Sequence, residues 1–282
     1  MRWVVVGAGG MLGQDLVARL AGGGDEVVAV GHDELDVRDA RRCAQVASGA
    51  DVVVNCAAYT RVDDAEAAEA EAFDVNAVGA ANLARAAVAA GARLVHLSTD
   101  YVFDGTGSTP YDERAPIAPA SAYGRTKAAG EWAVTASGGD HLVVRTAWLY
   151  GAHGSCFPRT IARVAAERGS VDVVEDQRGQ PTWTVDVADL VVRLVAARVP
   201  SGIYHATSSG ETTWYDFARE VVGAAGLSPD VVHRTTSDAF VRPAPRPAYS
   251  VLGHAALRAA GLDPIGDWRS RWALAAAGVL AG

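Results

Sequence analysis

A short apolar run that breaks at once into glycine constrains this chain more than any other stretch. Trp3-Val-Val-Val6 carries no polar residue before Gly7, the pattern of a strand buried on both faces of a parallel sheet. It passes into Gly7-Ala-Gly-Gly10-Met11-Leu12-Gly13 and then a helix expected from Gln14 to Leu20. Glycines at 7, 10 and 13 permit a tight turn, let the backbone approach a pyrophosphate, and let the helix lie close on the sheet. The start of that helix offers unpaired N–H groups to the anion. Strand, glycine turn and helix in this order predict an α/β chain built on a Rossmann-type, doubly wound parallel sheet.

The alternation continues. Further strands are expected at 26–30, 51–55, 93–97 and 142–151, with helices from about Arg38, across 62–90, and around Tyr123. Near the end of the second strand, Asp36 either reads a cofactor ribose or caps the helix that follows. The small residues of Cys56-Ala-Ala58-Tyr59-Thr60 would let the backbone lie against a cofactor. Asn76 falls inside a predicted helix, where an asparagine is usually solvated or merely tolerated. After Gly151 the rhythm weakens into a helix at 157–167, a strand at 171–175, a helix at 186–198, a strand at 202–206 and a helix at 213–225. We therefore expect residues 1–151 to form a dinucleotide-binding core. Residues 152–282 would be mainly a smaller C-terminal substrate-binding lobe, with segments near 182–206 returning to the core.

Two groups carry chemistry. Ser98-Thr99-Asp100 ends a strand where hydroxyls face the ligand crevice of a parallel sheet. Tyr123 and Lys127 are four residues apart, so on a helix they share a face. A phenol of ordinary pKa, about 10, is a poor acid-base catalyst near neutrality, and a neighbouring ammonium favours its phenolate. The pair suits protonating a ketone, or deprotonating an alcohol, while hydride moves to or from a nicotinamide. Arg242 and Arg246 flank prolines, and either grip a diphosphate by forked hydrogen bonds or form a solvated basic loop.

A net charge of -8 argues against a general nucleic-acid or anionic-membrane binder. Three widely spaced cysteines (43, 56 and 156) fit reduced thiols, with neither a disulfide framework nor zinc spacing. No charged leader or long apolar segment is evident, so a cytoplasmic, membrane-free protein is expected.

Motifs spread over nearly the whole chain resemble those of extended short-chain dehydrogenases/reductases, and more narrowly the dTDP-4-dehydrorhamnose reductases. They include Gly7-x-x-Gly10-Met-Leu-Gly13, Asn55-x-Ala-Ala-Tyr-Thr60, Val75-Asn76-Ala, Leu97-Ser-Thr-Asp-Tyr-Val-Phe-Asp-Gly105 and Tyr123-Gly-x-x-Lys127-x-x-Gly-Glu131. Arg145-Thr-x-Trp148-x-Tyr-Gly151, Asp176-Gln-x-Gly-x-Pro-Thr182 and Arg246-Pro-x-x-Ser250 complete the set. The resemblance implies an NADPH- or NADH-dependent oxidoreductase reducing the C4 ketone of a dTDP-4-keto-6-deoxy sugar, as a monomer or homodimer. Tyr123 would be the proton donor, Lys127 would orient the nicotinamide ribose, and Thr99 would hold the ketone. Gly7, Gly10-Met11-Leu12-Gly13, Asp36-Val37 and Ala58-Tyr59-Thr60 would touch cofactor, while Asp100, Trp148 and Arg246 would bind substrate. Cys156 stands where the family often has asparagine. Asp15 matches one acidic position of members that bind magnesium, but no set accompanies it, and no metal is expected. A dehydratase is disfavoured because Tyr101 replaces the glutamate of its Thr-Asp-Glu motif. The alternatives are a reductase of another dTDP-4-keto-6-deoxy sugar in natural-product glycosylation and a non-catalytic, NADP-binding regulatory subunit.

Overall fold

Valine-rich strands with no solvent face need helices on both sides, and the alternation of side chains along each strand decides which helix meets which residue. The computed structural model describes residues 1–282. Its six-stranded parallel sheet comprises β1 (Arg2–Val6), β2 (Glu26–Val30), β3 (Val52–Asn55), β4 (Arg93–Thr99), β5 (His141–Thr146) and β6 (Gly202–His205), in the order β6-β5-β4-β3-β1-β2. Trp3 and Val5 point to a layer holding α1 (Met11–Ala21) and returning helix Thr184–Ala196, whose Leu16, Leu20, Leu190 and Leu194 are fully covered. Val4 and Val6 point the other way, to α2 (Ala40–Ala47), the helix Ala80–Ala90 and the helix Ala122–Ala136. This is the doubly wound Rossmann-type sheet expected. The chain goes outward from β1 to β2, then returns to place β3 on the other side of β1. Their carboxyl ends therefore flank a topological switch point, the crevice where open α/β sheets bind ligands.

The remaining helices are α3 (Glu69–Phe73), α4 (Ala80–Ala90), α5 (Ala122–Ala136), α6 (Phe157–Arg168), α7 (Thr184–Ala196), α8 (Trp214–Ala224), α9 (Ala255–Ala259) and α10 (Trp268–Ala281). Residues 184–205 thus supply the last strand of the sheet and a helix on α1. A separate apolar cluster forms from α6, α8 and α10 around Tyr150, Phe217 and Trp272. No helix is long and apolar enough to cross a membrane.

Four local expectations are corrected. Helix α1 starts at Met11, three residues before Gln14, with Gly10 as its N-cap. Helix α2 is capped by Asp39, whose carboxylate accepts from the N–H groups of Arg41 and Arg42; Asp36 instead takes the Arg38 guanidinium. The 62–90 segment is broken into a 3₁₀ turn at Asp64–Glu66, α3, a π-helical turn at Asp74–Gly79, and α4. Strand 142–151 is interrupted at Trp148, which sits at φ 47 and separates β5 from the short strand Leu149–Tyr150.

Tight closure of the first turn generates a test. A Cβ on Gly13 would overlap the Gly7 carbonyl and the Ala8 Cα. Gly13→Ala should therefore lose about 1–3 kcal/mol through overpacking. Thermal denaturation should register this as a Tm lowered by several degrees.

Candidate active site

The carboxyl ends of β1, β3 and β4 bring three segments together. Gly7 takes φ 79, a conformation an L side chain rarely adopts, and its backbone lies against that of Cys56 and Ala57 at the end of β3. No side chain caps α1, so the N–H groups of its first turn remain available to an anion. Nothing lies within 4 Å of where a Cβ on Gly9 would sit. Bare backbone, an uncapped helix and open space at Gly9 fit a dinucleotide pyrophosphate. Beside them Ala58 is half-buried, Tyr59 buried and Thr60 exposed. Two expected cofactor contacts are less open. The Asp36 carboxylate is held by Arg38 at 2.7 Å, and the Val37 side chain is a core residue.

Helix α5 crosses over the end of β4 and carries both residues of the Tyr–Lys pair inward. The Lys127 ammonium is 2% exposed and donates to the Leu97 carbonyl at 2.6 Å. Burial lowers its pKa to about 8, against the opposing charge of Glu131 and the Cys56 thiol. Tyr123 is half-buried, edge-on to Tyr101 with ring centroids 5.6 Å apart. The lowering expected from a neighbouring ammonium does not appear. Burial, then the Asp100 carboxylate, push the phenol up to about 12, and the Lys127 head is occupied by β4. Tyr123 thus keeps its proton, as a weaker acid than a free phenol.

Thr99 completes the group. Its hydroxyl donates to Asp100 Oδ1 at 2.9 Å and accepts from the Tyr101 N–H. A hydroxyl has one proton, so Thr99 can donate to a ketone only when Asp100 is protonated or turned aside. Burial raises Asp100 to about 6, and its buried Oδ2 has no hydrogen-bond partner.

Trp148 and Arg246 approach from the lobe side. The Trp148 indole stacks on Trp214 at 3.5 Å and 5°, and covers Gly179 so closely that a Cβ there would overlap it. Arg246 lines a cavity of about 150 Å³ with Tyr101, Phe103 and Ser121. Its guanidinium is already paired with Asp63 at 2.9 Å, and Arg242 reaches the same carboxylate at 3.6 Å. Cys156 occupies the N-cap of α6 without capping it, its thiol pointing at the Gly151 carbonyl. Asp15 accepts from the Thr184 hydroxyl and faces His153 at 3.5 Å.

Two residues escaped the reading from sequence. Asn76 is buried, not solvated: its Oδ1 accepts from the Tyr59 N–H, and its Nδ2 donates to the Tyr59 carbonyl and to Thr126 of α5. It ties the expected cofactor segment to the catalytic helix. Glu131 forms a forked ion pair with Arg145 one turn beyond Lys127. One signal was available for the site as a whole: Lys127 is the only lysine among 25 lysines and arginines. Elsewhere this chain places its positive charge on arginine, whose guanidinium cannot replace a compact, titratable ammonium.

Residues 1–279 match the family described as RmlD substrate binding domain. The chain is 52% identical over 278 residues to a probable dTDP-4,6-dihydroxy-2-methyloxan-3-one 4-ketoreductase of Streptomyces antibioticus, covering 96% of this chain and 92% of the relative. It is 49% identical over 276 residues to a dTDP-4-dehydrorhamnose reductase of Streptomyces griseus, covering 95% and 91%. A crystal structure of dTDP-4-dehydrorhamnose reductase from Bacillus anthracis in complex with NADP superposes with a TM-score of 0.93 at 33% identity, over 97% of this chain and 98% of that one.

The Asn76 bonds are open to direct test. Asn76→Ala should leave buried Tyr59 backbone groups unsatisfied, at about 1–3 kcal/mol each. Calorimetry should show a lower Tm, and fluorescence titration a weakened affinity for NADPH.

Proposed function

The chain belongs to the RmlD family of dTDP-4-dehydrorhamnose reductases, and from that premise we propose that it reduces the C4 ketone of dTDP-4-dehydro-β-L-rhamnose to give dTDP-β-L-rhamnose, with NADPH or NADH. The observation that carries the reading is the convergence of Thr99, Tyr123 and the sole lysine at the sheet's carboxyl edge, beside the uncapped Gly7–Gly13 turn. The bound nicotinamide supplies the hydride. The glycine turn and the first N–H groups of α1 hold the pyrophosphate. Lys127 gives one N–H to Leu97 and keeps two for ribose hydroxyls, while its charge stabilises negative charge developing nearby. Tyr123, kept protonated by burial and by Asp100, gives its proton to the forming alkoxide. Thr99 holds the carbonyl once its own proton is released from Asp100. Residues 152–181 and 207–282 form the lobe that takes the sugar nucleotide, with the Trp148–Trp214 stack as its apolar wall and Arg246 turning from Asp63 to the diphosphate.

A second reading has its own support. The ketoreductase from Streptomyces antibioticus is at least as similar as the rhamnose enzymes, so a related dTDP-linked ketone is the alternative substrate. Offering several dTDP-4-keto sugars with NADPH or NADH, and determining the C4 configuration of the product by NMR, separates the two. Absence of turnover with every ketone, despite tight NADPH binding, would overturn both.

Two further outcomes follow from the charge states. Tyr123→Phe should lose about 10²–10⁴-fold in kcat while still binding NADPH; near-normal turnover would remove Tyr123 as donor. The Lys127 ammonium is present below its midpoint and lost above it, so kcat/KM should fall as pH rises through about 8.

A further inference from the structure

An ammonium buried to this degree needs more than one carbonyl to remain charged. Lys127 is faced by the Cys56 thiol beyond β3, by the Leu97 carbonyl and His96 on β4, and by Glu131 four residues on along α5. Burial, and then Lys127 itself, hold His96 neutral, and burial pushes the Cys56 thiol up to about 12. Glu131, one helical turn on along α5 and not in direct ion-pair contact, is therefore the buried opposite charge that acts on Lys127. It is 2% exposed, and Arg145, at 1%, grips it through Nε–Oε1 at 2.8 Å and Nη2–Oε2 at 2.6 Å. The Ser98 hydroxyl, one residue before Thr99, donates to the same Oε1 at 2.5 Å. The Arg145 guanidinium lies over the Phe103 ring at 4.9 Å, and Nη1 donates to the Glu113 carbonyl. His205 on β6, which also faces Arg145, is kept neutral by burial.

Three side chains, Glu131 of α5, Ser98 of β4 and Arg145 of β5, thus meet in one buried network, and α5 and β4 are the elements that carry Tyr123 and Lys127, and Thr99. Building on the reductase reading, we propose that Glu131 and Arg145 are positioning residues: a buried ion pair behind Lys127 that keeps it an ammonium and locks α5 in register with β4. The two act on Lys127 with opposite sign. Glu131 favours the ammonium, and Arg145 moderates that effect by neutralising the carboxylate.

The sole lysine makes the test direct. Biosynthetic incorporation of lysine labelled with ¹³C at Cε gives one side-chain NMR signal, titratable without substrate. In Glu131→Gln, which keeps the side-chain shape, the Lys127 midpoint should fall by about one unit, a tenfold loss of ammonium above both midpoints. In Arg145→Met it should rise, and in the double variant lie between the two. The alkaline limb of kcat/KM should move in the same directions, with affinity for NADPH less affected than kcat. An unmoved midpoint in Glu131→Gln, or shifts of the same sign in both single variants, would overturn the inference and leave the pair purely structural. Should Arg145→Met fail to fold, Glu131→Gln decides alone. Displaced midpoints without turnover of any dTDP-linked ketone would sink the reductase reading; turnover with unmoved midpoints would sink this one.

Discussion

A buried ammonium resting on the Leu97 carbonyl of β4 is the constraint to which this site is fitted. Desolvation works against its charge, and a parallel strand's end supplies only lone pairs to offset that. The surrounding structure answers with contacts from several directions. Leu97 accepts the hydrogen bond, Glu131 provides opposite charge, and His96 and Cys56 stay neutral. The same low dielectric raises the phenol of Tyr123 and the carboxyl of Asp100. One burial therefore sets three protonation states: an ammonium near its midpoint at mild alkalinity, a phenol that keeps its proton, and a carboxyl that ionises late.

Much of this was legible in the residues because its causes are local. A glycine turn between an apolar strand and a helix has few other uses, and Tyr123 and Lys127 share a helix face by spacing alone. What escaped depended on contacts between distant segments. Asn76 looks like an ordinary mid-helix asparagine until the chain folds Tyr59 and Thr126 onto its amide, and the helix opens into a π turn there. Asp36 is a plausible cap on paper, yet the cap is Asp39, whose carboxylate reaches two N–H groups, while Arg38 claims Asp36. Trp148 interrupts its strand because its ring must lie flat between Trp214 and Gly179, a demand originating some 30 and 65 residues later in the chain. The phenol's pKa was misjudged for a related reason. Spacing along a helix gives the shared face but not where a long side chain's head ends up, and the head of Lys127 went to β4.

The sheet and the lobe are joined by polar stitching as well as by apolar packing. Asp63, in the loop after β3, holds Arg242, Arg246 and the Ala244 N–H of the proline-rich segment. Asp186 at the start of α7 takes a forked grip from Arg271 of α10. Each contact ties a segment packed on the sheet to one in the C-terminal half of the chain.

That the chain's one lysine is shut inside the cleft has a consequence for its surface chemistry. The solvent-facing side-chain cations are guanidinium groups, so the exterior offers no ε-amine to acetyl donors, reducing sugars or ubiquitin-type conjugation. Acylation of the exterior is thereby confined to the N-terminal amine, which is paired with Asp25. The single ε-amine is sheltered by the fold, and a reagent that reached it would remove the charge that rests on the Leu97 carbonyl.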